Sequence, residues 1–282
     1  MYIQWFPGHM TKALRMMDEN VRLVDSIIYL LDARSIHASF NPSFDKLIKN
    51  KSVLYIINKC DLVEKSDVDK WREYFTSRNL AFIMTASVSS KDKNKIVDSL
   101  KRINKDLIAR YKAKGVNKTV RAMVIGIPNS GKSTLINSLC GKKRAITGDR
   151  PGVTRGKQWV VLSQGIELLD TPGTVWPKFD SETLATHLAF VGSIKDDILS
   201  IEELSIEMIK FFRDNYTENF KTRYHIDSFD ISDHEILEQV ARRRGFVVSG
   251  GDVDTERASR AIVDDFRKGK LGKVMLEMPE DK

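Results

Sequence analysis

Gly126-Ile-Pro-Asn-Ser-Gly131-Lys132-Ser133-Thr134 spaces two glycines ahead of a lysine and two hydroxyls, a pattern that lets backbone N–H groups cradle phosphate oxygens. Lys132 can reach the outer phosphates of a nucleotide, and the Ser133 hydroxyl can serve Mg²⁺. The preceding Ala122-Met-Val-Ile125 reads as a strand and the following residues as a helix, so a phosphate bound here would sit at a helix N-terminus. The candidate phosphate ligands are therefore Asn129, Ser130, Gly131, Lys132, Ser133 and Thr134.

Three further segments suit the same ligand. Asn58-Lys59-Cys60-Asp61 closes the apolar run Val53–Ile57, where side chains at a sheet's carboxyl edge face a bound base. The Asp61 carboxylate can accept from guanine N1–H and the 2-amino group, and would meet an acceptor on adenine, which selects GTP over ATP. Taken alone, such a tetrad is usually a surface turn; paired with the phosphate loop it reads as a guanine site. Thr85-Ala86-Ser87, after the apolar Phe82-Ile-Met84, is placed to back the base. In Asp170-Thr-Pro-Gly173, Asp170 can hold Mg²⁺ through water and the Gly173 N–H can sense a γ-phosphate. Thr154, in Pro151-Gly-Val-Thr154-Arg155, is spaced to fold a loop onto the same ion.

These residues have to be positioned by a sheet. Short β-rich runs at Ser26–Asp32, Val53–Ile57, Phe82–Met84 and Ala122–Ile125 alternate with helical patterns, which predicts a mostly parallel, doubly wound α/β sheet. Trp159–Leu162 and Ile166–Leu169, separated by Ser163-Gln164-Gly165, read as an antiparallel hairpin joined to its edge. Ile96, Leu100, Ile103, Leu107 and Tyr111 recur at three-to-four-residue spacing, predicting one long basic amphipathic helix over Lys91–Lys114. Beyond Pro177 the pattern turns helical, at Glu202–Asn215, Asp233–Arg244 and Thr255–Lys268. Asp233 and Asp254-Thr255 suit N-caps, and Gly245 and Gly269 suit C-caps. The expected domains are residues 1–177, a P-loop GTPase, and residues 178–282, all-α.

The motif order is unusual. The guanine segments at Asn58 and Thr85 precede the phosphate loop and both switch segments, so the GTPase is circularly permuted. The chain then begins near the Asp170 switch, and the helical region hangs from it.

Composition narrows the classes. The chain has 282 residues, 41% hydrophobic, with a formal charge of +8, which suits two soluble domains. The longest apolar runs, such as Ile27–Leu31, are far short of a membrane span, and Met1-Tyr2-Ile3-Gln4 has no charged leader, so a cytoplasmic protein without membrane association is expected. Cys60 and Cys140 alone cannot make a four-ligand zinc site and suit reduced thiols. The charge is uneven: residues 1–177 hold 30 Lys and Arg against 16 Asp and Glu, and the remainder 16 against 22. Lys91–Arg121 alone holds 11 basic and 3 acidic residues, and Lys142–Lys157 holds 6 and 1, which suits a polyanionic partner or a solvated helix face. Smaller clusters at Arg242–Arg244 and Lys268–Lys273 pose the same choice.

The permuted motifs, with Trp5-Phe-Pro-Gly-His9-Met10, Asp32-Ala-Arg34, Asn41-Pro42 and Asp170-Thr-Pro-Gly-Thr-Val-Trp-Pro177, resemble the ribosome biogenesis GTPase A (YlqF) family of circularly permuted GTPases over nearly the whole chain. That resemblance implies GTP hydrolysis in late assembly of the large (50S) ribosomal subunit, with rRNA and ribosomal proteins as partners, a helical RNA-contacting C-terminal domain, and a free monomer. A permuted branch that acts on the small subunit resembles an OB-fold plus GTPase plus zinc module, for which this chain lacks both room and cysteines. Other readings are a GTP-regulated RNA-binding module without catalysis, or a GTPase acting on the small subunit or tRNA. Thr174 stands where many GTPases place a water-orienting glutamine and is too short for that role. The resemblance points instead to His9, which could otherwise be a solvent-facing histidine after a Pro-Gly turn. It also points to the Asn129 side-chain oxygen as a K⁺ ligand, beside the plain alternative of an asparagine that caps its loop. His37, His187, His225 and His234 show no ligand spacing and are assigned to surface or packing roles.

Overall fold

The computed structural model describes residues 7–86, 92–140, 158–248 and 250–279. The strands are β1 (Ser26–Asp32), β2 (Ser52–Asn58), β3 (Ala81–Met84), β4 (Val120–Gly126), β5 (Gln158–Ser163) and β6 (Ile166–Asp170). They form one six-stranded sheet in the order β3-β2-β1-β4-β6-β5, parallel except for β5, which runs antiparallel to β6 at the edge. Register aligns the ends that matter: Asp32 lies opposite Asn58, Leu30 opposite Gly126, and Val124 opposite Asp170. Four motif-bearing strands therefore finish along one carboxyl edge, with the strand order reversing between β1 and β4, where such sheets bind ligands.

The helices in chain order are α1 (Gly8–Asn20), α2 (Ile36–Ser39), α3 (Asp45–Ile48), α4 (Lys65–Ser77), α5 (Lys93–Ile103), α6 (Lys105–Lys112), α7 (Lys132–Cys140), α8 (Glu182–Phe190), α9 (Ile201–Asn215), α10 (Thr217–Tyr224), α11 (Asp233–Arg243) and α12 (Thr255–Arg267). Alternation along β1 explains why both faces are covered. Ile27, Tyr29 and Leu31 pack with Trp71 and Phe75 of α4, whereas Ile28 and Leu30 pack with Ile96 and Leu100 of α5 and Leu135 of α7. A third apolar cluster gathers α8–α12, and it also takes in Met10, Ile127 and Val175 from the sheet-bearing half. The last helices are thereby packed directly behind the phosphate loop.

Two local expectations are corrected. The stretch over Lys91–Lys114 is two helices, because the buried Asn104 side chain donates to Ser26 Oγ (2.5 Å) and Leu100 O (2.8 Å), a local competitor to continued helix. Ile96 and Leu100 are buried, but α6 buries no residue and Tyr111 is exposed. Ser232, rather than Asp233, caps α11, in a capping box with Glu235, and Asp233 becomes a first-turn acid. Asp254 does cap α12 through Arg257 N, and Gly245 and Gly269 follow α11 and α12 in the left-handed region. Among the described residues no helix is long and apolar enough to cross a membrane.

Candidate nucleotide-binding site

The phosphate loop leaves β4 at Gly126 and enters α7 at Lys132. Asn129 and Gly131 take positive φ (+58° and +99°), and a Cβ on Gly131 would lie 2.5 Å from Asn58 Nδ2, so only glycine lets the loop approach β2. Lys132 is buried, and its ammonium donates to the loop's own carbonyls, Gly126 O at 2.9 Å and Ile127 O at 2.5 Å. Burial brings its pKa down to about 7; Asp170 opposes that shift and Lys59 adds to it. Ser133 is half-buried and Thr134 exposed at the start of α7.

Asp170 ends β6, and Thr171 Oγ1 ties the next residue to Val124 O at 2.6 Å. Both Asp170 carboxylate oxygens are enclosed without a hydrogen-bond partner, and burial pushes its pKa up to about 6 against the pull of Lys132 and the Thr171 backbone. Gly173 lies over the loop: a Cβ there would stand 2.7 Å from Lys132 Nζ and 2.8 Å from Pro128 Cα. Thr174 is fully buried and accepts from Asn41 Nδ2 on its carbonyl, at 3.0 Å. Anchored this way, it cannot swing toward a ligand.

The base-recognition segments converge from β2 and β3. Asn58 Nδ2 donates to Ser130 O (3.0 Å), bracing the phosphate loop, while its Oδ1 is buried without a partner. Lys59 adopts the left-handed conformation, φ +64°, and its ammonium donates to Asn129 O and to Asp32 Oδ2, both at 2.7 Å. Asp61 is exposed on the single 3₁₀ turn Cys60–Leu62. Thr85 is buried and bridges the two strands, its N donating to Ile57 O and its O accepting from Cys60 N; Ala86 beyond it is exposed. Ser87 and Thr154 lie outside the described residues.

His9 is exposed on the first turn of α1, next to Met10, which is buried with Ile127 of the phosphate loop and Val175 of the switch segment. Its pKa is lowered by partial burial and by Lys195. Asn129 Nδ2 donates to Gly192 O at 2.6 Å, and Ser193 Oγ to Pro128 O at 2.8 Å, so the loop after α8 supports the phosphate loop from behind. Among the described residues no three His, Cys, Asp or Glu side chains gather as a metal cluster, so a divalent ion here would need hydroxyl and phosphate oxygens beside Asp170. His37 packs edge-on against Trp71, and His187 pairs with Glu277 at 2.9 Å.

Sequence reasoning gave no role to Asn41, Gly192, Ser193, or the pair Asp32 and Arg34. Asp32, Arg34 and Asn41 entered only as motifs that carry the family resemblance, and the local signal was the charged Asp-x-Arg at the end of an otherwise apolar strand. The C-terminal basic cluster, conversely, is largely spent on internal pairs: Arg244 and Lys270 meet Asp265 (2.6 and 3.3 Å), and Arg243 meets Asp227 (3.0 Å).

Residues 121–245 match the family of 50S ribosome-binding GTPases. Over 282 residues, all of both chains, the sequence is 38% identical to ribosome biogenesis GTPase A of Bacillus licheniformis. The fold superposes on GNP-bound YlqF from T. maritima with a TM-score of 0.66 and 29% identity, covering 96% of this chain and 100% of that one. A GDP-bound YlqF structure gives the same score at 30% identity, over 94% and 99%.

Proposed function

The chain belongs to the ribosome biogenesis GTPase A family and is a GTP hydrolase, and from that premise we propose that it acts on the large ribosomal subunit during late assembly, using the crevice above β1 and β4. The observation that carries the site is the enclosed, partnerless carboxylate of Asp170 in electrostatic reach of a buried lysine on a glycine-hinged loop. Residues 1–177 form the catalytic domain in this reading, and residues 178–282 the helical domain that senses the subunit. The protein works in the cytoplasm as a monomer when free. Turnover measured with isolated subunits tests the proposal: stimulation by 50S particles is expected, and stimulation by 30S particles instead would overturn the assignment.

Lys132 exchanges the carbonyls of Gly126 and Ile127 for the β- and γ-phosphates, with the N–H groups of Asn129 to Thr134 around them and Gly173 N–H on the γ-phosphate. Asp61 accepts from guanine, Lys59 lies along the base, Asn58 braces the loop, and Thr85, Ala86 and Ser87 back the ring. An orphaned buried carboxylate fits Mg²⁺, which Ser133, Thr154 and, through water, Asp170 would hold; the ion neutralises phosphate charge when bound. Asn129 gives its amide nitrogen to Gly192, and in this reading its side-chain oxygen serves as a K⁺ ligand. His9 orients the attacking water.

Protonation gives a direct check. A carboxyl raised from 3.8 to about 6 stabilises the nucleotide-free fold in its neutral form, a contribution fully present below about pH 4 and lost as pH rises through 6. Mg²⁺ needs the ionised form, so binding MgGDP releases a proton from Asp170 near pH 5.5, while near pH 8 Lys132, at about 7 when empty, takes one up. Calorimetry in buffers of differing ionisation enthalpy should show this reversal. Asp170→Asn should remove the additional release at low pH; an identical proton count in both proteins would exclude Asp170 from the ion site.

The subunit surface should be α5–α6. Among the described residues Lys101, Arg102, Lys105, Arg110, Lys112 and Lys114 have no carboxylate within ion-pair distance. Lys142–Lys157 lies outside the described residues. Replacing Lys101, Lys105, Arg110 and Lys112 with glutamine should flatten the log-affinity against log-salt slope for 50S pelleting by roughly 3, at about 0.7–0.9 per phosphate contact. An unchanged slope would move the RNA surface elsewhere.

A further inference from the structure

Asp32 is the last residue of β1, beside Asn58 at the carboxyl edge, and it is almost wholly buried. Its carboxylate serves two cations. Oδ1 accepts from Arg34 N (3.1 Å) and Nε (3.0 Å), while Oδ2 accepts from Arg34 Nη2 (2.8 Å) and Lys59 Nζ (2.7 Å). Burial by itself would raise this carboxyl, yet Arg34 and Lys59 together hold it well below the usual range.

Arg34 is in turn seated on the helical half. Its Nη1 reaches Arg267 O at 3.4 Å, its guanidinium lies 5.2 Å from the Phe266 ring centre, and its carbonyl accepts from Leu276 N at 2.8 Å. Arg267 continues the chain of contacts, meeting Asp196 (2.7 Å) and the carbonyls of Ala189 and Phe190, just before the Gly192–Ser193 turn that supports the phosphate loop. The ammonium of the base-recognition tetrad is thus held from below by a carboxylate fixed against α12.

A lysine on a flexible four-carbon stem loses rotamer freedom when it orders against a ligand, and a group already fixed in place binds at lower cost. We propose that Asp32 is a positioning residue for guanine-nucleotide binding: it presets Lys59 along the base, and Arg34 fixes Asp32 by its seat on the end of α12. This rests on reading Asn58–Asp61 as the guanine site. It makes nucleotide affinity depend on the docking of the last helix, through a carboxylate that never touches the ligand.

The test is a double-mutant cycle on the full chain, read by fluorescence titration with mant-GDP. Asp32→Asn should weaken binding about tenfold, Lys59→Met by at least as much, and the double variant no more than about twofold beyond Lys59→Met, as expected for residues acting through one contact. Asp32→Glu keeps the buried charge and Arg34's partner while displacing Lys59, so it carries the same cycle where the asparagine variant does not fold. Circular dichroism melts without nucleotide identify which variant to use. Wild-type affinity in the folded Asp32 variants would overturn the proposal. So would losses that multiply in the double variant, since Asp32 would then act by another route. A wild-type protein that binds no mant-GDP would instead overturn the guanine site itself.

Discussion

Asp61→Asn is expected to lower GTP affinity by about 10²-fold while raising affinity for xanthosine triphosphate. In the proposed site the carboxylate would accept two hydrogen bonds from guanine, at N1–H and the 2-amino group. Charge-assisted bonds are roughly twice as strong as neutral ones, and a donor left facing a donor costs about 1–3 kcal/mol. The amide of asparagine offers one acceptor and one donor, which mismatches the guanine 2-amino group and matches the xanthine 2-oxo group. Asp61 sits on a 3₁₀ turn whose backbone is held by Leu62 N to Lys59 O at 3.0 Å, so the substitution changes the chemistry without moving the turn. Competition of GTP and xanthosine triphosphate against mant-GDP reads the switch. A guanine preference unchanged by Asp61→Asn would remove Asp61 from base recognition, whatever the phosphate loop does.

The parts of this site that the sequence announces are those made by neighbours in the chain. Gly126, Gly131 and Lys132 fall within seven residues, and the alternation of apolar runs with helical spacing placed them between a strand and a helix, as found. The hairpin of β5 and β6 is equally legible, because Ser163-Gln164-Gly165 separates two β-rich runs. What escaped is built from contacts between distant residues. Asn129 meets Gly192 and Arg34 meets Arg267, and no local pattern reports which carbonyl an amide or guanidinium will find after the chain has folded. The break at Asn104 was missed for the same reason, since its partner Ser26 lies on β1. At Arg242–Arg244 the basic run is visible in the sequence but its partners are not: Arg244 meets the distant Asp265 on α12, and Arg243 meets Asp227. Asp32 is plain in the sequence at the end of an apolar strand, but its pairing with Lys59 exists only in the folded chain.

His9→Ala separates binding from chemistry. GTP affinity should stay near wild type, because in the proposed site Lys132, Asp61 and the loop N–H groups would hold the nucleotide without the imidazole. Hydrolysis stimulated by 50S particles should fall about 10²-fold or more, the usual cost of losing a positioned catalytic group. The geometry favours His9 over Thr174, which is fully buried and committed to Asn41. The effect should be confined to the stimulated reaction, because His9 is exposed on the first turn of α1, beside Met10, which packs with Ile127 and Val175. Its imidazole is held neutral more readily than usual by partial burial and Lys195, so it can accept a hydrogen bond from water at neutral pH. The variant should therefore stay on the large subunit with GTP uncleaved, visible by pelleting with labelled nucleotide under single-turnover conditions. Stimulated turnover within about twofold of wild type would make His9 a surface residue and shift the search to a group supplied by the ribosome, with preorganised charge in the loop still stabilising the transition state. Loss of GTP binding in parallel with turnover would make His9 structural, its role being to seat α1 on Ile127 and Val175.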